Sequence, residues 1–165
     1  MAKLVSSLLY LLIQTQSHCP VTYSFYSDTN TLVQRSPTAY SPSALLSTIP
    51  PVWTSIPGAH WIWESNALTQ GTFTFVRTFV LAEWARVALT SVRLSIAADG
   101  SFAVRFNGQP VTLQWSGGFG GVTQYELKAW VLGSDGGLGV QENTLEMTVM
   151  NTNANGGIVY RLDLS

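Results

Sequence analysis

Apolar and polar residues alternate along much of this chain, and the alternation marks strands. Within residues 101–113, Phe102, Val104 and Phe106 fall on one side at a period of two, with Ala103 and Arg105 on the other. That is the pattern of a strand with one buried face. Asn107-Gly108 tolerates positive φ and predicts a tight hairpin turn into a return strand carrying Val111, Leu113 and Trp115. Just upstream, Val92, Leu94, Ile96 and Ala98 alternate with Arg93, Ser95 and Ala97, and Asp99-Gly100 then turns the chain. Three strands joined by two glycine-containing turns read as an antiparallel meander, around which the rest of the chain is expected to pack.

The same reading extends to both sides. Val21, Tyr23 and Phe25 alternate in a first strand, and Leu32-Val33 begins another extended piece. Residues 37–57 hold Pro37, Pro42, Pro50, Pro51 and Pro57, a density that forbids a continuous helix or a central strand. This stretch is expected to be irregular but ordered, lying over the sandwich. Its spacing allows a short helical turn over residues 43–47, capped by Ser41 with Pro42 in the first turn. Phe73, Phe75, Phe79 and Leu81 share one face of a further strand, interrupted by Arg77. That arginine either sits at the rim with its stem packed or pairs with a buried carboxylate such as Glu64. Residues 116–121 are glycine-rich and read as a sandwich loop, since they lack the spacing and the following helix of a phosphate cradle. Tyr125, Leu127, Ala129 and Val131 share one face of the next strand; Leu145, Met147 and Val149, then Ile158, Tyr160 and Leu162, mark the last two. Eight or nine strands without an amphipathic helix predict an all-β sandwich of two antiparallel sheets.

Composition narrows the setting. Of 165 residues 46% are hydrophobic but only 10% are charged, against roughly 25% in an ordinary soluble protein. The formal net charge is −1 and the eight basic residues are scattered singly, so no field exists to attract nucleic acid. A surface solvated mainly by Ser, Thr, Asn, Gln and Gly suits an extracellular, carbohydrate-facing or assembled protein. Residues 1–17 read as a secretory signal, with Lys3 ahead of the apolar run 8–13 and small Thr15 and Ser17 before a cleavage point. That run is far too short to span a bilayer, and no other stretch approaches the length. Cys19 is the only cysteine, which excludes an intrachain disulfide; it is either a candidate for an intermolecular one or buried and inert.

Catalytic chemistry finds little support. His18 and His60 are isolated, and no metal-ligand spacing or nucleophile elbow is present. Glycosidases need two carboxyl groups about 5 to 9 Å apart, but nothing brings together Glu64, Glu83, Glu126, Glu142 or Glu146. Ordinary solvated glutamates are the expectation. The six tryptophans are better candidates. Trp115 lies on the apolar face of its strand and belongs in the core. Trp130 lies opposite Tyr125, Leu127 and Ala129, while Trp53 and Trp61 sit in irregular segments, where binding residues concentrate. Trp130, Trp53 and Trp61 are therefore the expected contacts to a glycan or a partner, through exposed indole faces.

The succession Trp61-Ile62-Trp63, residues 75–79, residues 92–99, residues 102–108, residues 142–145, Asn151 and residues 156–160 resembles the galactose-binding-like jelly rolls. These occur in bacterial surface proteins and as accessory domains of glycoside hydrolases. The resemblance covers residues 61–164, about two thirds of the chain, and rests on the order of the pieces. It implies a jelly-roll sandwich whose Asn107-Gly108 turn closes the central hairpin. Two positions depart from the family pattern, Gly100 for an Asp and Arg105 for a Tyr, and both remove side chains that could serve a metal or a sugar. Some members hold a structural calcium ion; the oxygen donors available here are Asp99, Glu142 and Glu146, which form no calcium loop.

The expected organisation is a signal at 1–17 and one domain over 18–165. Within it, 18–60 is the extended proline-rich cover and 61–165 the galactose-binding-like core. The expected function is a non-catalytic structural or adhesive subunit of an extracellular or cell-surface assembly, with self-association or other surface proteins as partners. Its extended N-terminal stretch could be donated to a neighbour's sheet edge. The alternative is a carbohydrate-binding module for a polysaccharide.

Overall fold

The computed structural model describes residues 22–35, 39–64, 69–82, 89–111, 118–127, 142–152 and 155–165. The export signal expected over 1–17, together with His18, Cys19, Glu83, Trp84, Leu113, Trp115, Ala129, Trp130 and Val131, lies outside them. Among the described residues the chain is strand and loop throughout. The strands are β1 (Tyr23–Tyr26), β2 (Leu32–Arg35), β3 (Ser41–Pro42), β4 (Ala44–Leu45), β5 (Ile62–Trp63) and β6 (Gly71–Phe79). They continue with β7 (Val92–Ala98), β8 (Ser101–Phe106), β9 (Gln109–Val111), β10 (Gly118–Glu126), β11 (Asn143–Asn151) and β12 (Ile158–Leu164). They form two antiparallel sheets of six strands each. The first runs β10-β7-β12-β5-β4, with β1 also on β12; the second runs β3-β2-β6-β11-β8-β9. The all-β sandwich expected from the alternation is what forms. Twelve segments appear where eight or nine were expected because β3, β4, β5 and β9 span only two or three residues, too few to show a period.

The core is the set of inward positions that the alternation marked. Phe73, Phe75, Phe102, Val104, Phe106, Leu145, Met147 and Val149 from the second sheet meet Leu94, Ile96, Ala98, Ile158, Tyr160 and Leu162 from the first, all fully buried. Phe25 stacks on Phe79 with ring centroids 4.2 Å apart.

Three local expectations are corrected. The predicted three-strand meander is not one sheet. β7 pairs with β12 and β10, whereas β8 pairs with β11 and β9, so Asp99-Gly100 carries the chain across the interior from one sheet to the other. Alternation reports which face of a strand is buried but not which sheet it joins, and Ile96 and Val104 belong to different sheets rather than lying side by side. The corner leaves no room for a side chain: Gly100 has φ 101°, and a Cβ there would stand 2.3 Å from the Met150 carbonyl oxygen. The helical turn over 43–47 is instead β4, which pairs with β5. Ser43, buried between β3 and β4, donates its hydroxyl to the Asp28 carbonyl as the chain passes from the edge of one sheet to the edge of the other. Finally, residues 118–121 belong to β10, bulged against β7, rather than to a loop.

The Asn107-Gly108 hairpin forms as expected. Both residues have positive φ, 49° and 78°, and Phe106 pairs directly with Gln109, the geometry of a two-residue turn. Asn107 also holds the neighbouring strand, since its Oδ1 accepts from the Thr144 N–H at 2.7 Å and its Nδ2 donates to Asn143 Oδ1 at 3.1 Å.

Residues 23–45 supply strands to both sheets, β1 along β12 and β2 along β6. The β1–β2 connection is fastened by polar contacts at one end of the interior. Arg77 Nη1 donates to Asp28 Oδ1 at 2.5 Å, so its partner is Asp28 rather than Glu64. Tyr160, buried, shares a 2.8 Å hydrogen bond between its hydroxyl and Thr31 Oγ1, and the Ser27 hydroxyl donates to the His60 carbonyl at 2.7 Å. Burial pushes the Tyr160 phenol well above its ordinary value, while the Thr31 bond and the Arg77 charge pull the other way.

Two outcomes follow from this geometry. Gly100→Ala is expected to lose about 1–3 kcal/mol of folding stability in urea titrations; a value within error of the parent would contradict the tight corner. The raised Tyr160 pKa means that the folded state favours the neutral phenol. This contribution is complete below pH about 10, where the unfolded phenol is also neutral, and is lost as pH rises from there through the folded value. Tyr160→Phe should cost about 1–2 kcal/mol at neutral pH and make stability fall less steeply above pH 10 than in the parent. Parallel slopes for the two proteins would remove Tyr160 as the cause.

Candidate functional site

The outer face of the first sheet divides into an apolar and a polar half. Outward positions alternate with the core positions just described: Arg93, Ser95 and Ala97 on β7, Val159, Arg161 and Asp163 on β12, Val122, Gln124 and Glu126 on β10, Ser24 and Tyr26 on β1. Ala97 and Val159 form the apolar half, and both are buried because Trp53, Ile56 and Trp61 pack over them. The two indoles lie 4.4 Å apart, and Trp61 Nε1 donates to the Thr54 carbonyl at 2.8 Å. Gly157 permits this approach, since a Cβ there would come within 2.5 Å of Trp53 and 2.8 Å of Trp61.

The other half is left to polar side chains, which the strand registers align in two rows. Gln124 lies opposite Ser95, Ser95 opposite Arg161, and Arg161 opposite Tyr26. In the next row Glu126 lies opposite Arg93, Arg93 opposite Asp163, and Asp163 opposite Ser24. Across these rows runs a groove of about 340 Å³, walled on one side by Ser55, Ile56 and Pro57 from the tryptophan-bearing cover. Ser95, almost fully buried, lies among its lining residues beside Arg93, Gln124, Arg161 and Asp163, and Val122 adds an apolar edge.

The charges here are arranged in pairs. Arg161 Nε donates to Asp163 Oδ1 at 2.7 Å, and the Ser24 hydroxyl donates to the same oxygen at 2.6 Å. The Asp163 hydrogen bond raises the pKa of Arg161 further above the usual guanidinium value, so the guanidinium stays charged. Arg161 also lies over the Tyr26 ring, 5.5 Å from its centroid, a cation–π contact. Arg93 stands 3.8 Å from Glu126, which accepts a 3.2 Å hydrogen bond from Ser91. Two of the chain's eight basic and two of its nine acidic residues therefore gather on one small surface, and the surface is electrically balanced. Such an arrangement can hold a polar ligand by many directional hydrogen bonds.

The sequence matches no known protein family, and it matches no curated protein. Solved structures do resemble it in fold. A glycosyl hydrolase family 2 member from Bacteroides cellulosilyticus aligns over 87% of this chain with a TM-score of 0.53 and 14% identity. Bacteroides uniformis β-glucuronidase 2 aligns over 87% at TM-score 0.52 and 20% identity, and the β-D-mannosidase from Dictyoglomus thermophilum over 79% at TM-score 0.50 and 11% identity. The likeness is one of fold. The chain spans only 20%, 18% and 16% of those three proteins.

Two of the tryptophans expected from sequence to carry contacts are among the described residues. Trp53 and Trp61 are 8% and 3% exposed, so neither is the open indole platform anticipated; an apolar sheet face beneath them was available to bury against. Trp53 still lines a second, apolar groove of about 310 Å³ with Leu46, Ile49, Pro50 and Pro51. Trp130 and Cys19 lie outside the described residues. Asn107 and Gly108 serve the hairpin in the second sheet. The candidate calcium donors do not converge. Asp99 is buried at the inter-sheet corner two residues before Ser101, whose partner Met150 is four residues along β11 from Glu146, roughly 13 Å by strand rise. Among the described residues no three His, Cys, Asp or Glu side chains cluster as for a metal ion. Glu126 and Glu146 occupy opposite outer faces of the sandwich, Glu146 beside Arg105 at 3.9 Å, so they cannot act on one bond.

Arg93, Ser95, Gln124, Arg161 and Asp163 went unremarked as a site in the sequence. Each was legible as the polar half of an alternation. Their adjacency depends on β10, β7 and β12 being neighbours, which no local pattern reveals.

The buried tryptophans lead to a test. Trp61→Ala is expected to cost about 3–5 kcal/mol of stability, measured by urea unfolding. A variant as stable as the parent would show that the cover is not packed on the sheet.

Proposed function

We propose that this chain is a non-catalytic β-sandwich module of the kind carried by glycosidases, and that it binds carbohydrate in the polar groove on the outer face of the first sheet. The groove is the observation that carries the reading. It offers paired donors and acceptors beside an apolar wall, the mixture that suits a sugar with its hydroxyl edges and C–H faces. The fold it shares with part of several glycosidase chains supports the same class. The separation of Glu126 and Glu146 on opposite faces supports a binding rather than a hydrolytic role. The low charge of the chain and its leading apolar run fit an extracellular or cell-surface setting.

A structural subunit that self-associates is the second reading, favoured by one observation. Leu32, Tyr40, Leu45, Ile49 and Val52 are all exposed, and Leu32, Tyr40 and Leu45 lie on or next to β3 and β4, an edge strand of each sheet. A second copy of this chain is the occupant that this apolar border fits. Donation of the N-terminal stretch from Tyr23 onward is not part of this reading, because β1 and β2 are already paired within their own sheets.

Affinity electrophoresis against a set of polysaccharides tests the main reading. Retention is expected, and Arg93→Ala should weaken it about tenfold, the loss of one charge-assisted hydrogen bond. A monomer that no polysaccharide retards would defeat it. Light scattering on the same sample separates the two readings: concentration-dependent dimers that Leu45→Lys returns to monomer would favour the structural subunit.

A further inference from the structure

We infer that the groove selects neutral sugar units and discriminates against uronic acids, an inference that rests on the carbohydrate reading above. A site for an acidic sugar needs a cation free to meet the carboxylate, and Arg commonly supplies it through a two-pronged contact. Here each groove arginine already has an anion beside it. Arg161 is bonded to Asp163 at 2.7 Å, and that carboxylate is held in place by Ser24 as well. Arg93 lies in register between Glu126 on one side and Asp163 on the other. Directly opposed residues in antiparallel strands have Cβ atoms about 4.5–5.5 Å apart. A uronate approaching Arg93 would therefore enter between two carboxylates, and one approaching Arg161 would meet the Asp163 carboxylate already bonded to its Nε.

A neutral sugar meets neither obstacle. Its hydroxyls can donate to Asp163 and to the Gln124 carbonyl oxygen, and can accept from Arg93, without disturbing an ion pair. Its C–H face can rest on Ile56 and Pro57 along the groove wall. The volume of about 340 Å³ is near the lower end of ligand sites, enough for one or two sugar rings. Since the ligand carries no charge, its binding should respond little to salt.

The test uses isothermal titration of the purified chain with neutral cello-, manno- and galacto-oligosaccharides and with oligogalacturonate and oligoglucuronate, at low and high sodium chloride. At least one neutral oligosaccharide is expected to bind with an affinity that changes less than about twofold with salt. The uronate oligomers should bind at least tenfold more weakly. Glu126→Gln, a change at an exposed position, releases Arg93 from one of its two anions and should narrow that gap several-fold. Uronate binding equal to or tighter than neutral binding, and weakened by salt, would overturn the selectivity while leaving the carbohydrate reading in place. Absence of binding by every oligosaccharide would sink the carbohydrate reading itself. Neutral binding that Arg93→Ala leaves intact would remove the groove as the site and overturn both.

Discussion

Trp63 is buried between the two sheets, and the rest of the sandwich depends on its burial. It lies on the two-residue β5, is fully buried, and meets Phe73 at 4.7 Å and Phe75 at 5.4 Å across the interior. A strand that short has little ladder to hold it, so packing must. Gly156 shows how tight the fit is, since a Cβ there would fall 2.2 Å from the indole. Burying a large aromatic stabilises by about 2–3 kcal/mol relative to leaving it in water. Here the effect is more than local, because β5 also connects β12 with β4 and so carries the edge of the first sheet.

A second packing event decides the surface. The first sheet buries its inner face against the second sheet, but part of its outer face is also apolar, at Ala97 and Val159. The irregular stretch through Trp53, Ile56 and Trp61 closes over that part alone. Where the cover stops, the outward positions turn polar, and the edge of the cover becomes the wall of a groove. The groove is thus a consequence of covering half of a sheet face. Its charges need no strong field from the rest of the chain, which has few charges to offer; each arginine is neutralised by a carboxylate on its own or an adjacent strand.

The resemblance to glycosidase chains concerns architecture, and one architecture hosts many functions. What distinguishes this chain must be sought in side chains. The rows Gln124-Ser95-Arg161-Tyr26 and Glu126-Arg93-Asp163-Ser24 gather such side chains on one face. The apolar border near Leu45 and Val52 has the opposite character, and a single chain can use both.

Several features were legible in the residues alone. Val92 to Ala98, Phe102 to Phe106, Leu145 to Val149 and Ile158 to Leu162 announce their strands and their buried faces, because side-chain direction in a strand alternates residue by residue. Asn107-Gly108 announces its hairpin because positive φ is a local demand. Other features were not legible. The crossing at Asp99-Gly100, the pairing of Arg77 with Asp28 and the covering of Ala97 by Trp53 and Trp61 all depend on segments far apart in the chain. So does the candidate site, whose rows draw on β1, β7, β10 and β12. Alternation is a property of neighbours in sequence, and it determined the all-β class, the hairpin and the inward residues. Which strands lie side by side is settled by how two apolar faces and one cover pack together, and only the tertiary structure could decide that.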